Sequence, residues 1–190
     1  MILLLDNYDS FTYNLVQLFG KFKVKLQVIR NNKVSLLNIE NSKPNFIVIS
    51  PGPGHPDDSG ICPKTIFTLA HKIPILGVCL GHQSIGQVFG GTISLTSPVL
   101  HAKTSKVFHI KVGIFNNITC PMIVARYHSL VIKPKSLPKC LKIIAWSSDG
   151  NIMACQHRYN KQLIGVQFHP ESILTQDGEK IIKNFLYTLI

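Results

Sequence analysis

Cys79 lies at a position where a thiol could act as a nucleophile. Residues 73–76 form an apolar run that predicts a buried strand, and residues 83–89 have the apolar spacing of a helix. Cys79 lies between Gly77 and Gly81, and this Gly-x-Cys-x-Gly pattern is the cysteine form of a nucleophile elbow. Side chains at the two glycines would collide with the backbone, and the helix N-terminus favours a thiolate. We predict a nucleophile here; core packing of an inert cysteine is the alternative.

A nucleophilic thiol needs a base, and the base needs a group that orients it. Among eight histidines, His169 ends an apolar run that starts at Leu163 and precedes Pro170. Open α/β sheets place their sites at the carboxyl ends of strands. Residues two apart in an extended chain point the same way, so Glu171 can hold the His169 imidazole in the tautomer that accepts a proton. The alternative is a hydrogen-bonded histidine at a strand end, with Glu171 capping the next helix.

A loop of alternating proline and glycine follows the apolar run 46–50. Residues 51–54 are Pro-Gly-Pro-Gly, whose backbone can approach a ligand without side chains in the way. Because proline has no N–H, Gly52 and Gly54 are the candidates to donate to an oxyanion, together with the Leu80 N–H that follows the nucleophile. A plain turn is the alternative, since Pro-Gly turns are common.

The elements that must position these residues alternate along the 190-residue chain. This length suits a single domain, residues 1–190, with one α/β core. Alternating strands and helices predict a doubly wound, mostly parallel sheet flanked by helices, with a strand-rich antiparallel extension between about residues 91 and 157. The predicted strands are 1–5, 25–30, 46–50, 73–78, 109–112, 122–125 and 143–146, and the predicted helices are 10–20 (capped by Ser10), 62–71, 82–89 and 178–190.

The three segments described above occur in the order found in class I (triad) glutamine amidotransferases, and the chain resembles this family over essentially its whole length. The third segment is Gly-Val-Gln-Phe-His-Pro-Glu at 165–171. Residues 5–15 resemble a narrower group, the glutaminase subunits of anthranilate synthase and of aminodeoxychorismate synthase. Segments 101–105 and 126–131 are also similar to that group, with Ala102 where the group usually has glycine, in what resembles a subunit-contact loop.

The resemblance implies a catalytic triad with Cys79 as nucleophile, His169 as base and then acid, and Glu171 as the residue that orients the histidine. It also implies seven substrate-binding residues: Gly52, Pro53, Gly54, Leu80, Gln83, Ser129 and Leu130. Gly52, Gly54 and Leu80 are placed at the oxyanion and substrate backbone, and Gln83, Ser129 and Leu130 around the amino-acid end of glutamine. An exposed helix position is the alternative for Gln83.

The resemblance further implies hydrolysis of L-glutamine through a γ-glutamyl thioester and delivery of ammonia to a separate large subunit that aminates chorismate. The predicted partner is the anthranilate synthase large subunit (component I), in tryptophan biosynthesis. The aminodeoxychorismate synthase large subunit, in folate biosynthesis, is the alternative. No cofactor and no metal are expected in this subunit. A non-catalytic regulatory module of the same fold is disfavoured by the complete triad, and a stand-alone cysteine hydrolase is disfavoured by the segment 8–14.

Charge and composition limit the partners and the compartment. The net charge of +11 favours docking to an acidic partner over nucleic-acid binding, because the lysines are scattered and no nucleic-acid motif accompanies them. No apolar stretch is long enough to span a bilayer, so no membrane contact is expected. Five cysteines, an odd number without metal-ligand spacing, suit a reducing compartment.

The residue usage also bears on the origin of the chain. Arginine and alanine are rare whereas lysine, isoleucine and asparagine abound, which suggests an AT-rich genome. The first predicted strand begins at Met1, so we expect no cleavable presequence. These features predict the plastid stroma for an organelle-encoded chain and otherwise the bacterial cytoplasm.

Overall fold

A nine-stranded sheet forms the centre of the computed structural model, which describes residues 1–96 and 103–187. A two-stranded ribbon, β5 and β8, lies apart from this sheet. The strands are β1 (Ile2–Asp6), β2 (Leu26–Arg30), β3 (Phe46–Ile49), β4 (Ile75–Val78), β5 (Ile93–Leu95), β6 (Lys103–His109), β7 (Met122–Arg126), β8 (Leu130–Ile132), β9 (Leu141–Ser147), β10 (Ile152–His157) and β11 (Leu163–Val166).

Five α-helices accompany the strands in the described ranges, with three short 3-10 turns at Pro56–Asp58, Gly113–Phe115 and Pro134–Ser136. None of these helices has the length and apolar character needed to cross a membrane. The helices are α1 (Thr12–Gly20), α2 (Leu36–Ser42), α3 (Cys62–Leu69), α4 (Leu80–Val88) and α5 (Gly178–Tyr187).

The strand order of the large sheet is β2-β1-β3-β4-β11-β10-β9-β6-β7. The first five strands run parallel, and the remaining pairings are antiparallel. The predicted fold class, a mostly parallel doubly wound sheet with an antiparallel extension, is therefore confirmed.

Helices cover both faces of the parallel strands, because alternate strand residues point into two separate cores. Leu4, Val48 and Leu76 belong to the core that contains residues of α1 and α5. Their neighbours in sequence, such as Leu3 and Ile47, belong to the core that contains residues of α2, α3 and α4. The near-continuous apolar runs of these strands follow from burial on both sides.

Three neighbouring strands carry the predicted chemistry at their carboxyl ends. The Pro-Gly loop follows β3, Cys79 follows β4, and His169 lies three residues beyond the end of β11. Because β4 lies between β3 and β11 in the sheet, the nucleophile is flanked by the loop on one side and by the histidine on the other. Adjacent strands are about 4.8 Å apart, which brings all three segments within contact distance.

Helix α4 packs against the sheet with almost no space between the two backbones. A Cβ atom added at Gly81 would lie 2.6 Å from the carbonyl oxygen of Ile49 in β3. A Cβ atom at Gly165 in β11 would lie 2.5 Å from Nδ1 of His82. The residues from Leu80 to Gly86 are all buried, so glycine is needed on both surfaces for this close approach.

The predicted cap of the first helix is wrong. Helix α1 begins at Thr12, and no side chain caps it in the way expected of Ser10. Aspartates order the preceding loop instead: Asp6 accepts a hydrogen bond from the Thr12 hydroxyl at 2.8 Å, and Asp9 accepts one from the Phe11 N–H at 2.7 Å. Short carboxylate side chains compete well for loop N–H groups, which removes the need for a serine cap.

The strand predicted at 109–112 is also wrong, because β6 ends at His109. Lys111 has a φ of +57° and donates its N–H to Nδ1 of His109, which turns the chain out of the sheet. Helix α2 has no counterpart in the sequence prediction, and α4 begins two residues earlier than predicted. The end of the last predicted helix, residues 188–190, lies outside the described residues, as do His101 and Ala102.

Replacing Gly81 with alanine should lower the free energy of unfolding by about 1–3 kcal/mol, because the new methyl group meets the β3 backbone. Gly20→Ala is the matched control, since a Cβ there meets nothing within 4 Å. The control is expected to be neutral or to stabilise by up to about 1 kcal/mol. Urea unfolding monitored by circular dichroism measures both, and equal stabilities for the two variants would contradict this packing argument.

Candidate functional site

The backbone of Cys79 has the strained geometry of a nucleophile elbow. Its φ is +52° and its ψ is −98°, a region that L-residues rarely adopt. The turn is held on both sides: the Cys79 N–H donates to the Val166 carbonyl at 2.8 Å, and its carbonyl accepts from the Gln83 N–H at 3.0 Å. A Cβ atom at Gly77 would lie 2.4 Å from the Gly81 carbonyl oxygen. The predicted need for glycine at these positions is confirmed.

His169 links the thiol to a buried carboxylate. Its Nδ1 lies 2.6 Å from Oε1 of Glu171, and the two side chains are 3% and 0% exposed. This contact leaves Nε2 to form the hydrogen bond that His169 shares with Cys79. The second carboxylate oxygen, Oε2 of Glu171, is buried without a hydrogen-bond partner in the described part of the chain. The imidazole is therefore the main polar partner of this carboxylate.

The environment of His169 raises its pKa well above the usual value. Burial alone would lower this pKa, but the hydrogen bonds and charges of Cys79 and Glu171 outweigh the burial. Phe11 and Tyr127 enclose the ring, with centroid distances of 5.5 and 5.0 Å. A protonated imidazole beside a thiol is the arrangement that generates a thiolate at neutral pH.

His128 is a second histidine at this site, but it is not suited to be the base. Burial, reinforced by the positive charges of Arg126 and His169, lowers its pKa to about 3. His82, which lies in α4 and packs against β11, also has a pKa lowered to about 3, chiefly by burial and then by the charge of His128. Both rings are neutral across the physiological range. Of the two histidines that line the cleft, His169 is therefore the one able to exchange a proton at physiological pH.

The Pro-Gly loop is fixed by the asparagine that follows β1. Asn7 donates its backbone N–H to Ser50 Oγ at 2.8 Å and its side-chain amide to the Ser50 carbonyl at 2.9 Å. A Cβ atom at Gly52 would lie 2.6 Å from both the Asn7 Cβ and the Leu80 Cδ2. Gly54 has a φ of +77°, which favours glycine. The loop is thus anchored and free of side chains at these positions.

The residues predicted around the amino-acid end of glutamine meet on the opposite wall. Gln83 donates through Nε2 to the Leu130 carbonyl at 2.8 Å and to Oε1 of Gln167 at 3.3 Å. Because both amide hydrogens have partners, Gln83 can offer the cleft only its Oε1 acceptor. The Ser129 carbonyl accepts from the Thr96 N–H at 2.8 Å, which fixes this loop. An exposed helix position for Gln83 is ruled out by its burial.

A cleft of about 280 Å³ brings these groups together. This volume is near the lower end for small-molecule sites, in the range of a single amino acid. All predicted site residues line the cleft except Glu171, which lies behind His169, and Leu80, whose side chain is buried beside Gly52. No group of three or more metal-ligating side chains occurs among residues 1–96 and 103–187.

Sequence reasoning missed several residues of this site. Asp9, Phe11, Tyr127 and His128 line the cleft, and Gln167 donates to the Cys79 sulfur. The first four lie in the segments 5–15 and 126–131, which resemble the glutaminase subunits, but that resemblance did not assign these residues to the site. For Gln167 a signal existed: residues 167, 169 and 171 alternate along an extended segment, so the rule that paired His169 with Glu171 also applies to Gln167.

The fold and the site together define an α/β protein with a cysteine–histidine–carboxylate arrangement at a nucleophile elbow. The family model for class-I glutamine amidotransferases matches residues 3–189. The chain belongs to this family, and it is a glutamine amidotransferase.

Comparison with individual proteins agrees with this assignment. The chain is 52% identical over 189 residues to anthranilate synthase component 2 of Cyanophora paradoxa, and the match covers 100% of both chains. It is 48% identical over 188 residues to aminodeoxychorismate/anthranilate synthase component 2 of Bacillus subtilis, covering 99% of this chain and 96% of that one. A glutamine amidotransferase structure from Thermotoga maritima superposes with a TM-score of 0.75 at 14% identity, covering 99% and 96%, which supports the fold.

Replacing Glu171 with glutamine should lower the pKa of His169, because a neutral amide no longer stabilises the imidazolium. Loss of one hydrogen bond to a charged group corresponds to a displacement of about 1–2 pH units toward lower pH. NMR titration of the ¹⁵N-labelled histidine side chains measures this change. Glu179→Gln, which removes only an exposed pair with Lys21, is the control. A His169 titration that is the same in Glu171→Gln and in the unmodified protein would contradict the role of this carboxylate.

Proposed function

We propose that this chain hydrolyses L-glutamine and supplies the ammonia to a separate synthase subunit that aminates chorismate, with anthranilate synthase as the principal complex. In this proposal Cys79 is the nucleophile, His169 the acid and base, and Glu171 the residue that orients the histidine. The observation that carries the proposal is the continuous contact from the Cys79 sulfur through the His169 ring to the Glu171 carboxylate, at the floor of a cleft sized for an amino acid.

The first half of the reaction forms a thioester. The Cys79 thiolate attacks the side-chain amide carbon of glutamine, a C–S bond forms, and the carbonyl oxygen becomes an oxyanion. The N–H groups of Gly52, Gly54 and Leu80 hold this oxyanion. Collapse of the intermediate breaks the C–N bond, and His169 gives its Nε2 proton to the departing nitrogen. Ammonia leaves, and the γ-glutamyl group stays on the sulfur.

The second half returns the site to its starting state. Neutral His169 takes a proton from water, and the resulting hydroxide adds to the thioester carbon. The C–S bond breaks, glutamate is released, and the Cys79 thiolate again faces a protonated His169. The glutamate carboxyl group loses its proton to solvent. Glu171 remains ionised throughout and keeps the imidazole oriented, as the acidic member of a triad does.

The need for a partner is supported by the relatives and by the surface beside the cleft. The names of the relatives include the term component 2, which implies a second component in those proteins. A second cleft shares Phe11 and Tyr127 with the first and is lined by Ile173, whose side chain is 96% exposed. A large apolar side chain at this exposure, beside a catalytic cleft, suits the face that a synthase subunit would cover.

Aminodeoxychorismate synthase is the second candidate for the partner. The relative from Bacillus subtilis carries both synthase names, so the sequence similarity is compatible with one subunit that serves both pathways. The regulatory-module hypothesis is not supported, because a chain without activity would have no need for the ordered Cys79–His169–Glu171 contacts. The absence of a cofactor and the plastid or bacterial location stay predictions.

Replacing Cys79 with serine should reduce glutamine hydrolysis by more than about 10³-fold, because a serine hydroxyl at this site has no comparable ionised form. The test mixes the chain with an anthranilate synthase large subunit and chorismate, and follows the fluorescence of anthranilate. Glutamine-dependent product should disappear in Cys79→Ser, whereas product formed from added ammonium salt should remain.

Cys140→Ser is the matched control, because Cys140 is a free cysteine that does not line the cleft. It should keep glutamine-dependent activity. Release of glutamate without anthranilate would support the glutaminase activity and favour aminodeoxychorismate synthase as the partner. Repeating the assay with the aminodeoxychorismate synthase large subunit tests that alternative directly. Glutamine hydrolysis at the unmodified rate by Cys79→Ser would falsify the proposed nucleophile.

A further inference from the structure

A buried arginine lies behind the substrate-binding wall without lining the cleft. Arg126 is 2% exposed, and its NH1 donates to Oδ2 of Asp149 at 3.0 Å. Its Nε donates to Nε2 of His128 at 3.2 Å. A guanidinium has only donors, so Nε2 of His128 must be the acceptor of this hydrogen bond. The contact therefore decides which nitrogen of the histidine carries the proton.

The tautomer of His128 follows from this contact. With Nε2 unprotonated, the neutral ring carries its hydrogen on Nδ1, which lies 3.2 Å from the Leu130 carbonyl and donates to it. The pKa of His128, lowered to about 3 by burial and by the nearby positive charges, agrees with a neutral ring. The Leu130 carbonyl can only accept, so the Gln83 group 2.8 Å from it must be the NH₂ end of the amide.

The same logic fixes the next amide. The NH₂ group of Gln83 also contacts the side chain of Gln167 at 3.3 Å, and a donor there requires the oxygen of Gln167 to face it. The NH₂ group of Gln167 is then directed to the Cys79 sulfur, 3.6 Å away. Sulfur is larger than oxygen, so this separation is a hydrogen bond. Gln167 is fully buried, so its side-chain amide is shielded from bulk solvent.

We propose that Gln167 is a further catalytic residue that donates a hydrogen bond to the Cys79 thiolate, and that Arg126 is a positioning residue that holds the neutral His128 against the Leu130 carbonyl, the acceptor that orients Gln83 and through it Gln167. The inference rests on Cys79 being the nucleophile of the proposed function. Amide orientation is ordinarily ambiguous, because the two ends of a glutamine side chain are alike in shape. Here the Leu130 carbonyl, which can only accept, removes the ambiguity for Gln83 and through it for Gln167.

The physical effect is on the ionisation of the sulfur. A buried N–H that points at Cys79 stabilises the thiolate more than the thiol, because hydrogen bonds to a charged acceptor are the stronger ones. Gln167 and His169 both lie in the extended segment that follows β11. This one segment therefore supplies two hydrogen-bond partners of the Cys79 sulfur. The titratable groups that line the cleft with Cys79 are Asp9, Tyr127, His128 and His169, and Glu171 lies behind His169.

Alkylation of Cys79 by iodoacetamide tests the donor without using glutamine. Gln167→Met keeps the side-chain length and removes the donor, so alkylation at pH 7 should slow by about 10- to 100-fold, with the pH profile displaced to higher pH. Gln167→Glu keeps the shape and adds a negative charge, and it should slow alkylation at least as much. Peptide mass spectrometry separates Cys79 from the other four cysteines.

Gln156→Met is the matched control, because Gln156 is a buried glutamine on the neighbouring β10 whose Nε2 donates to the Lys161 carbonyl instead. Its alkylation profile should equal that of the unmodified chain. Circular dichroism identifies a variant that has not folded. An unchanged alkylation profile in folded Gln167→Met or Gln167→Glu overturns the inference and leaves the proposed function intact. A Cys79 that is no more reactive than an ordinary thiol in the unmodified chain would instead count against the proposed function.

The tautomer of His128 tests the positioning role of Arg126 without any substitution. ¹⁵N chemical shifts of the labelled side chain should show hydrogen on Nδ1 and a bare Nε2 between pH 6 and 8. Hydrogen on Nε2 would overturn the positioning role of Arg126. In Arg126→Lys, which keeps the positive charge and loses the Nε donor, the ¹⁵N shift of the His128 Nε2 should change and Cys79 alkylation should slow; an unchanged alkylation rate would overturn the positioning role of Arg126.

Discussion

The hydrogen bond from the Cys79 N–H to the Val166 carbonyl is the contact on which the site depends. It continues the parallel pairing of β4 with β11 by one residue beyond the end of β4, and its acceptor is the last residue of β11. The nucleophile is thereby fixed to the strand whose extension carries its partners. The positive φ of Cys79 is tolerated because this hydrogen bond and the start of α4 hold the turn from both sides. Loss of the pairing would separate the thiol from its base.

Charge at the site is balanced within a short distance. The pKa of His169 is raised because its imidazolium lies between an ionised carboxylate and the cysteine, whereas the pKa of His128 is lowered by burial and then by positive neighbours. Two histidines that line the same cleft thus have opposite protonation states at neutral pH. The neutral one accepts from Arg126 and donates to the Leu130 carbonyl, and the charged one exchanges protons in the proposed reaction.

The local signals in the sequence were sufficient for the elbow, because its requirements are steric and lie within five residues. Gly77 and Gly81 are needed for close backbone approach, and the structure has both contacts. The same is true of the extended pair His169 and Glu171. The errors at Ser10 and at 109–112 arose where side chains such as Asp9 and His109 satisfy nearby N–H groups, a competition that apolar periodicity does not reveal.

The sequence by itself determined which residue types could do chemistry, the alternation that makes a doubly wound sheet, and the family to which the chain is similar, because these depend on composition and short spacing. Only the tertiary structure decided that β11 lies beside β4, which brings His169 to Cys79 across ninety positions of sequence. It also decided that Arg126 is buried against His128, and that Gln83 lies between the Leu130 carbonyl and the amide oxygen of Gln167. Hydrogen-bond direction is a property of groups in contact, and contacts between distant segments exist only once the sheet has formed.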